Sequence, residues 1–182
     1  MTKGTPVNGL NKGIEKVEVS IRWDPSPLGT PATDLDLIAA TYDTDDPYGE
    51  PVYVVDFESR SPDGTIALNR DSRTGQGLGF DEVMVLELNR LAESYGRVVV
   101  GVVIQQREVR KTFGDIEGPG MRLREGYDEL ATSDFSEVRD STAATVCEFQ
   151  RDTDGQWEFK RGVRGFDTDP TAFPSLMGAG PV

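Results

Sequence analysis

The stretch of this chain best suited to chemistry runs Asp71, Ser72, Arg73, Thr74, Gly75, Gln76, Gly77, Leu78, Gly79, Phe80, Asp81, Glu82. Glycines at 75, 77 and 79 let a loop turn sharply and aim backbone carbonyls inward. Acids at both ends, Asp71 at the start and Asp81 with Glu82 at the finish, could close that loop around a hard cation. Calcium suits such a cage, since it takes oxygens from carboxylates, carbonyls and water in flexible geometry. The 12 residues from Asp71 to Glu82 match an EF-hand loop in length, but Arg73 and Gly75 fall at its third and fifth positions. Strand patterns rather than helical ones flank the stretch, so an EF-hand is excluded. A glycine-rich hairpin loop with solvated acids fits the same residues, and both readings stay open. Asp34 and Asp36 are a second acidic pair. On a strand they share a face, where like charges cost energy unless a cation or hydrogen bonds compensate. A fully wet edge strand is the alternative.

Composition narrows the chemistry further. Across 182 residues, 32 acids against 19 Lys and Arg give a net charge of −13. Such a charge repels nucleic-acid phosphates and anionic lipid, which makes nucleic acid a poor partner. No apolar run is long enough to span a bilayer, so membrane insertion is not expected. The sequence has no histidine, which removes Ser-His-Asp and Cys-His catalysis and His-ligated zinc. The single cysteine, Cys147, excludes an internal disulfide and any CxxC site. It lies in a strand pattern as a small apolar residue, with no neighbouring cation to make it reactive. The polar Met1 to Asn11 stretch lacks a hydrophobic signal core. The expectation is a soluble, cytoplasmic protein and not an enzyme.

The elements that position the acids are strands. Val17, Val19, Ile21 and Trp23 alternate with polar residues, the period-two signature of a strand with one wet face. Leu35, Leu37 and Ala39 alternate less cleanly through the acidic stretch Asp34 to Asp36. Residues 83–88 and 98–104 are rich in β-branched side chains and read as central strands. Strand patterns at 52–57 and 65–68 flank Ser61-Pro62-Asp63-Gly64 and read as a hairpin. A second hairpin is signalled at Asp152-Thr153-Asp154-Gly155. Residues 106–144 are charged and less regular. Together these predict an all-β fold, a two-sheet antiparallel β-sandwich with short helical connections. The domain spans residues 1–166, and 167–182 form a Pro- and Gly-containing tail expected to be extended and partly mobile.

These features resemble the TerD domain family, bacterial proteins associated with tellurite and general stress resistance and with calcium binding. The resemblance runs from Arg22-Trp23-Asp24 through Asp34-Leu35-Asp36-Leu37, the Ser61 to Gly64 turn and the loop ending Asp81-Glu82, to Gly155-Gln156-Trp157-Glu158-Phe159-Lys160. It implies a β-sandwich, and calcium held by Asp34, Asp36, Asp71, Gly75, Gln76, Asp81 and Glu82. It also implies a weakened site: Leu78, Phe80 and Ile38 stand where the family has aspartates, and Gln76 is neutral where the family has glutamate. Arg70 and Arg73 add opposing charge, whereas Asp56 or Glu58 could add a ligand. The implied function is a non-enzymatic calcium-binding module of a stress-response system that meets a protein partner or self-associates. The alternative is a metal-free structural or interaction subunit whose substituted loop, with Arg73, Leu78 and Phe80, is the contact surface. Arg107, Arg110 and Lys111 could dock an acidic partner or serve only as a charged loop. Trp23 and Trp157 are expected in the core.

Overall fold

In the computed structural model, which describes residues 13–70 and 79–180, the chain forms two five-stranded antiparallel sheets. In chain order the strands are β1 (Lys16–Arg22), β2 (Leu35–Asp43), β3 (Tyr53–Val55), β4 (Ile66–Arg70) and β5 (Glu82–Glu87), then β6 (Tyr95–Ile104), β7 (Gly120–Glu125), β8 (Asp128–Ser133), β9 (Ala143–Arg151) and β10 (Trp157–Phe166). One sheet has the order β4-β5-β1-β7-β8 and the other β10-β9-β6-β2-β3. Single-turn 3-10 segments at Leu88–Arg90, Phe113–Asp115 and Ser136–Val138 provide the helical connections. The expected sandwich is therefore the observed one.

Alternation builds the space between the sheets. Val17, Val19 and Ile21 of β1, Met84 and Leu86 of β5, and Val98, Val100, Val102 and Ile104 of β6 bury together in one core with Trp23 and Trp157. Strand β6 reads as a nearly unbroken apolar run because both of its faces are covered. Val99 and Val103 point the other way, into a second cluster with Ile38, Ala40, Tyr42, Ala143, Phe173 and Met177.

That second cluster corrects the expectation for the C-terminal residues. Instead of lying extended, residues 173–176 form the one-turn helix α1 (Phe173–Leu176), and Phe173 and Met177 are 0% and 2% exposed against the outside of the β6 sheet. Burying two such side chains contributes roughly 3–6 kcal/mol. Gly101 makes room for the packing, since a Cβ there would stand 2.9 Å from the Phe173 ring. Arg97 then pins the segment: its Nη1 donates to the carbonyls of Gly178 at 2.7 Å and Pro47 at 3.0 Å, while Nε donates to Glu148 at 2.5 Å. The guanidinium also lies 4.5 Å from the Tyr48 ring centroid and 5.2 Å from that of Tyr42.

Two further differences from the sequence reading have physical causes. The strands on either side of Ser61 to Gly64 are not a hairpin: β3 pairs with β2 in one sheet, and β4 pairs with β5 in the other. The turn chemistry is as expected, with Asp63 Oδ1 accepting from the Thr65 backbone N–H and hydroxyl and Gly64 at φ 74°. The turn passes the chain from one sheet to the other. Conversely, β7 and β8 do form a hairpin, turning at Gly126 with φ 60°. Charged residues on its wet face obscure the apolar alternation of Met121, Leu123 and Ala131.

Two outcomes follow. A Cβ on Gly178 would lie 1.9 Å from the Tyr42 hydroxyl oxygen, so Gly178→Ala lowers stability by about 1–3 kcal/mol, readable as a drop of several degrees in Tm. Burial pushes the Tyr42 phenol up to about 12, against the opposing pull of Arg97. The neutral phenol therefore stabilises the fold fully below pH 10, and this contribution is lost as the pH rises through about 12. The Tyr42 hydroxyl has no hydrogen-bond partner among the described residues. Tyr42→Phe is thus expected to leave the neutral-pH melt nearly unchanged and to flatten its alkaline decline.

Candidate metal centre

The candidate site lies where the first residues of β2 meet the first residues of β5. Leu35 and Leu37 are drawn into the core, so the intervening Asp36 and the preceding Asp34 belong to the opposite face. Glu82 shares the inward parity of Met84 and Leu86 on β5, at the end of the strand. From there its Oε1 reaches the other sheet and accepts the Leu37 backbone N–H at 2.7 Å. Strand β3 pairs only with Ala39, Ala40 and Thr41 of β2, so it stops short of Leu37.

Asp34, Asp36 and Glu82 consequently converge, each offering a buried carboxylate oxygen, with the three oxygens within 4.8 Å of one another. As whole residues Asp36 and Glu82 are 3% and 0% exposed, while Asp34 keeps partial exposure. Calcium–oxygen distances of about 2.3–2.6 Å place donors on opposite sides of one ion about 5 Å apart, so this spacing suits a shared hard cation. Gln105 Nε2 donates to Asp36 Oδ2 at 2.6 Å, and the Gln105 backbone N–H donates to the Asp34 carbonyl at 2.9 Å. Both interactions fix the acidic end of β2 against the residue that follows β6.

Asp81 is placed differently from its neighbour. Its Oδ2 accepts the Trp23 backbone N–H at 2.8 Å, and its own N–H donates to the Ile21 carbonyl at 2.8 Å. It ties the start of β5 to the end of β1 and stands outside the trio. Trp23 extends the brace, its indole N–H donating to the Thr33 carbonyl at 3.0 Å. The Thr33 hydroxyl receives Lys111 Nζ at 2.9 Å and lies 2.7 Å from the Ser26 hydroxyl.

Asp71, Gly75, Gln76, Arg73 and Leu78 lie outside the described residues. Asp56 caps a local turn, its Oδ1 accepting the N–H groups of Glu58 and Ser59, and neither acid joins the trio. Phe80 folds back against Arg122, whose guanidinium carbon is 4.4 Å from the ring centroid. In the basic cluster, Arg110 pairs with Asp167 at 2.8 Å and Lys111 reaches Thr33, while Arg107 is exposed. Gln105 and Thr33, both part of the brace, carry no charge, so charge patterning does not point to them.

This geometry, two packed antiparallel sheets with acids converging at one end, defines a β-sandwich with a candidate cation site. The chain belongs to the TerD domain family, whose model matches residues 1–172. It is 28% identical over 162 residues to the uncharacterized protein YceE of Bacillus subtilis (strain 168), covering 86% of this chain and 84% of that one. It is 26% identical over 160 residues to the tellurium resistance protein TerD of Serratia marcescens, covering 84% and 82%. General stress protein 16U of Bacillus subtilis (strain 168) matches at 24% over 173 residues, 91% of this chain and 90% of that one. Among solved structures, the unknown-function protein SAV2460 superposes with a TM-score of 0.92 at 60% identity over 93% of this chain and 99% of its own. SCO6318 from Streptomyces coelicolor A3(2), described as a homologue of telluride resistance protein (TerD), superposes with a TM-score of 0.91 at 53% identity, over 93% and 100%.

Cys147 stands apart from this centre. It is 2% exposed in the main core, and burial pushes its thiol well above the ordinary range. Iodoacetamide is therefore expected to leave the native protein unlabelled at mildly alkaline pH and to modify it fully once denatured; fast native labelling would contradict this packing.

Proposed function

We propose that this protein is a non-enzymatic, cytoplasmic calcium-binding module of a bacterial stress-response system, with a weakened calcium site. The observation that carries the reading is the convergence of Asp34, Asp36 and Glu82 within 4.8 Å. The proposed ligand set adds Asp71 and the Gly75 to Gln76 segment, with Asp81 bracing the start of β5. Calcium would supply two positive charges against the three carboxylates and join the two sheets at this end. The chain's own residues prepare the place: Leu37 N–H orients Glu82, and Gln105 orients Asp36. Affinity follows ligand charge, and the apolar positions supply none: Ile38 is buried in the second cluster and the Phe80 ring lies on Arg122. The names of its relatives, tellurium resistance protein and general stress protein, support the stress role. The lack of histidine and the buried Cys147 support a binding rather than a catalytic role.

A second reading is a metal-free interaction subunit that meets a protein partner or another copy of itself. The hydrogen bonds from Leu37 and Gln105 favour it, because protein donors already serve two of the three carboxylates.

Thermal melts of chelator-stripped protein separate the two. A site with Kd near 10 μM gains about 2.7 kcal/mol at about 1 mM calcium, which raises Tm by roughly 5–10 °C for a chain of this size. Magnesium is expected to do much less. Glu82→Gln keeps an acceptor for the Leu37 N–H but removes a charge, and is expected to fold and lose the calcium response. Superimposed melts with and without calcium would overturn the metal reading in favour of the interaction subunit.

A further inference from the structure

The two sheets differ in what covers their outer faces. Phe173 and Met177 close the β6 side, whereas the outer face of the β4-β5-β1-β7-β8 sheet carries a row of cations. Two have carboxylate partners on the same face, Arg124 with Glu18 at 3.4 Å and Lys16 with Glu87 at 3.8 Å; nearby, Arg161 of β10 pairs with Glu137 at 2.9 Å. Arg22 and Arg122 have no hydrogen-bond or ion-pair partner among the described residues. In a chain with 32 acids and 19 Lys and Arg, two neighbouring guanidinium groups with no carboxylate partner among the described residues need an explanation.

Their placement supplies one. Ser20 pairs with Arg122 and Arg22 with Gly120 across β1 and β7, so the two arginines are diagonal neighbours on one face. Thr132 lies directly opposite Arg122 on β8. Between them is a hollow of about 530 Å³, also lined by Phe80 and Ser133. The Phe80 ring lies 4.4 Å from the Arg122 guanidinium carbon and holds that side chain in place, while Arg122 Nε is itself buried. The Arg161–Glu137 pair borders the hollow as a neutral unit. Asp134 opposes an anion from the rim, but its Oδ1 accepts the Ser136 N–H at 3.0 Å, and one carboxylate faces two cations.

We propose that this hollow binds a phosphoryl group, with Arg22 and Arg122 as its charged ligands and the Thr132 hydroxyl as a neutral donor. Two guanidinium forks set side by side match a tetrahedral dianion, whose several oxygens bridge both; one carboxylate is satisfied by one fork. Free phosphate and a phosphorylated side chain share this chemistry. The site is separate from the acidic trio and stands whether or not calcium binds there.

The arginine Nε–H signals of the full-length, calcium-free protein provide the test, at constant ionic strength with inorganic phosphate, phosphoserine or acetate as probe. The Arg22 and Arg122 signals are expected to shift saturably with phosphate or phosphoserine, with Arg90 as an unmoved control. Arg122→Gln is expected to weaken the response about tenfold or more. Arg22→Gln is expected to do the same without touching the Phe80 stack, and backbone amide spectra establish that both variants fold. Tighter binding of phosphoserine assigns the phosphate to a modified side chain, and equal binding assigns it to the free ion. A drift that does not saturate, an equal response of Arg90, or acetate matching phosphate would overturn the proposal.

Discussion

Mutual repulsion among Asp34, Asp36 and Glu82 is the constraint around which this end of the sandwich is organised. With all three ionised, each pair at the 4.8 Å limit of their spacing would cost about 3 kcal/mol at an effective dielectric of about 20. Hydrogen bonds to a charged group return about 1.5–3 kcal/mol each, so the donors at Leu37 N–H and Gln105 Nε2 offset a part. A divalent cation acts on all three pairs at once. The same acids would be a liability without a scaffold that holds them still.

The scaffold does this through order that extends well beyond the acids. Asp81 and Trp23 lock the start of β5 to the end of β1, and the Trp23 indole reaches Thr33 just before Asp34. Glu82 then bridges to the opposite sheet at Leu37. Behind it, β6 is buried on both faces, by the main core and by Phe173 and Met177. Arg97 holds the C-terminal segment in place through Gly178. Asp36 and Glu82 therefore sit on strands, and Asp34 directly before one, with little freedom to relax apart, which favours binding over accommodation.

Much of this was legible in sequence because it depends on local periodicity. Period-two alternation placed Val17 to Trp23 as a strand and gave Asp34 and Asp36 a common face, and the Asp154-Gly155 turn marked β9 and β10 as a hairpin. Strand partnership was less legible. The Pro62-Asp63-Gly64 turn has the same chemistry whether it closes a hairpin or passes the chain between sheets, and only the edges offered by β2 and β5 decide. Period two also sends the adjacent Asp81 and Glu82 to opposite faces; what the sequence does not show is the amide each one finds, Trp23 for Asp81 and Leu37 for Glu82. At the C-terminus Pro170, Pro174 and Gly178 outweigh Phe173 and Met177 in composition and point to an extended segment, while those two side chains decide the packing.

Terbium luminescence sensitised through indole in chelator-stripped protein tests whether Asp34, Asp36 and Glu82 hold a metal ion, since Trp23 bonds Asp81 and Thr33, the chain neighbours of Glu82 and Asp34. Saturable emission is expected that calcium displaces, that persists in Trp157→Phe, and that is lost in both Trp23→Phe and Glu82→Gln. Absence of sensitised emission, or emission that Glu82→Gln leaves intact, would contradict a metal ion held by this trio.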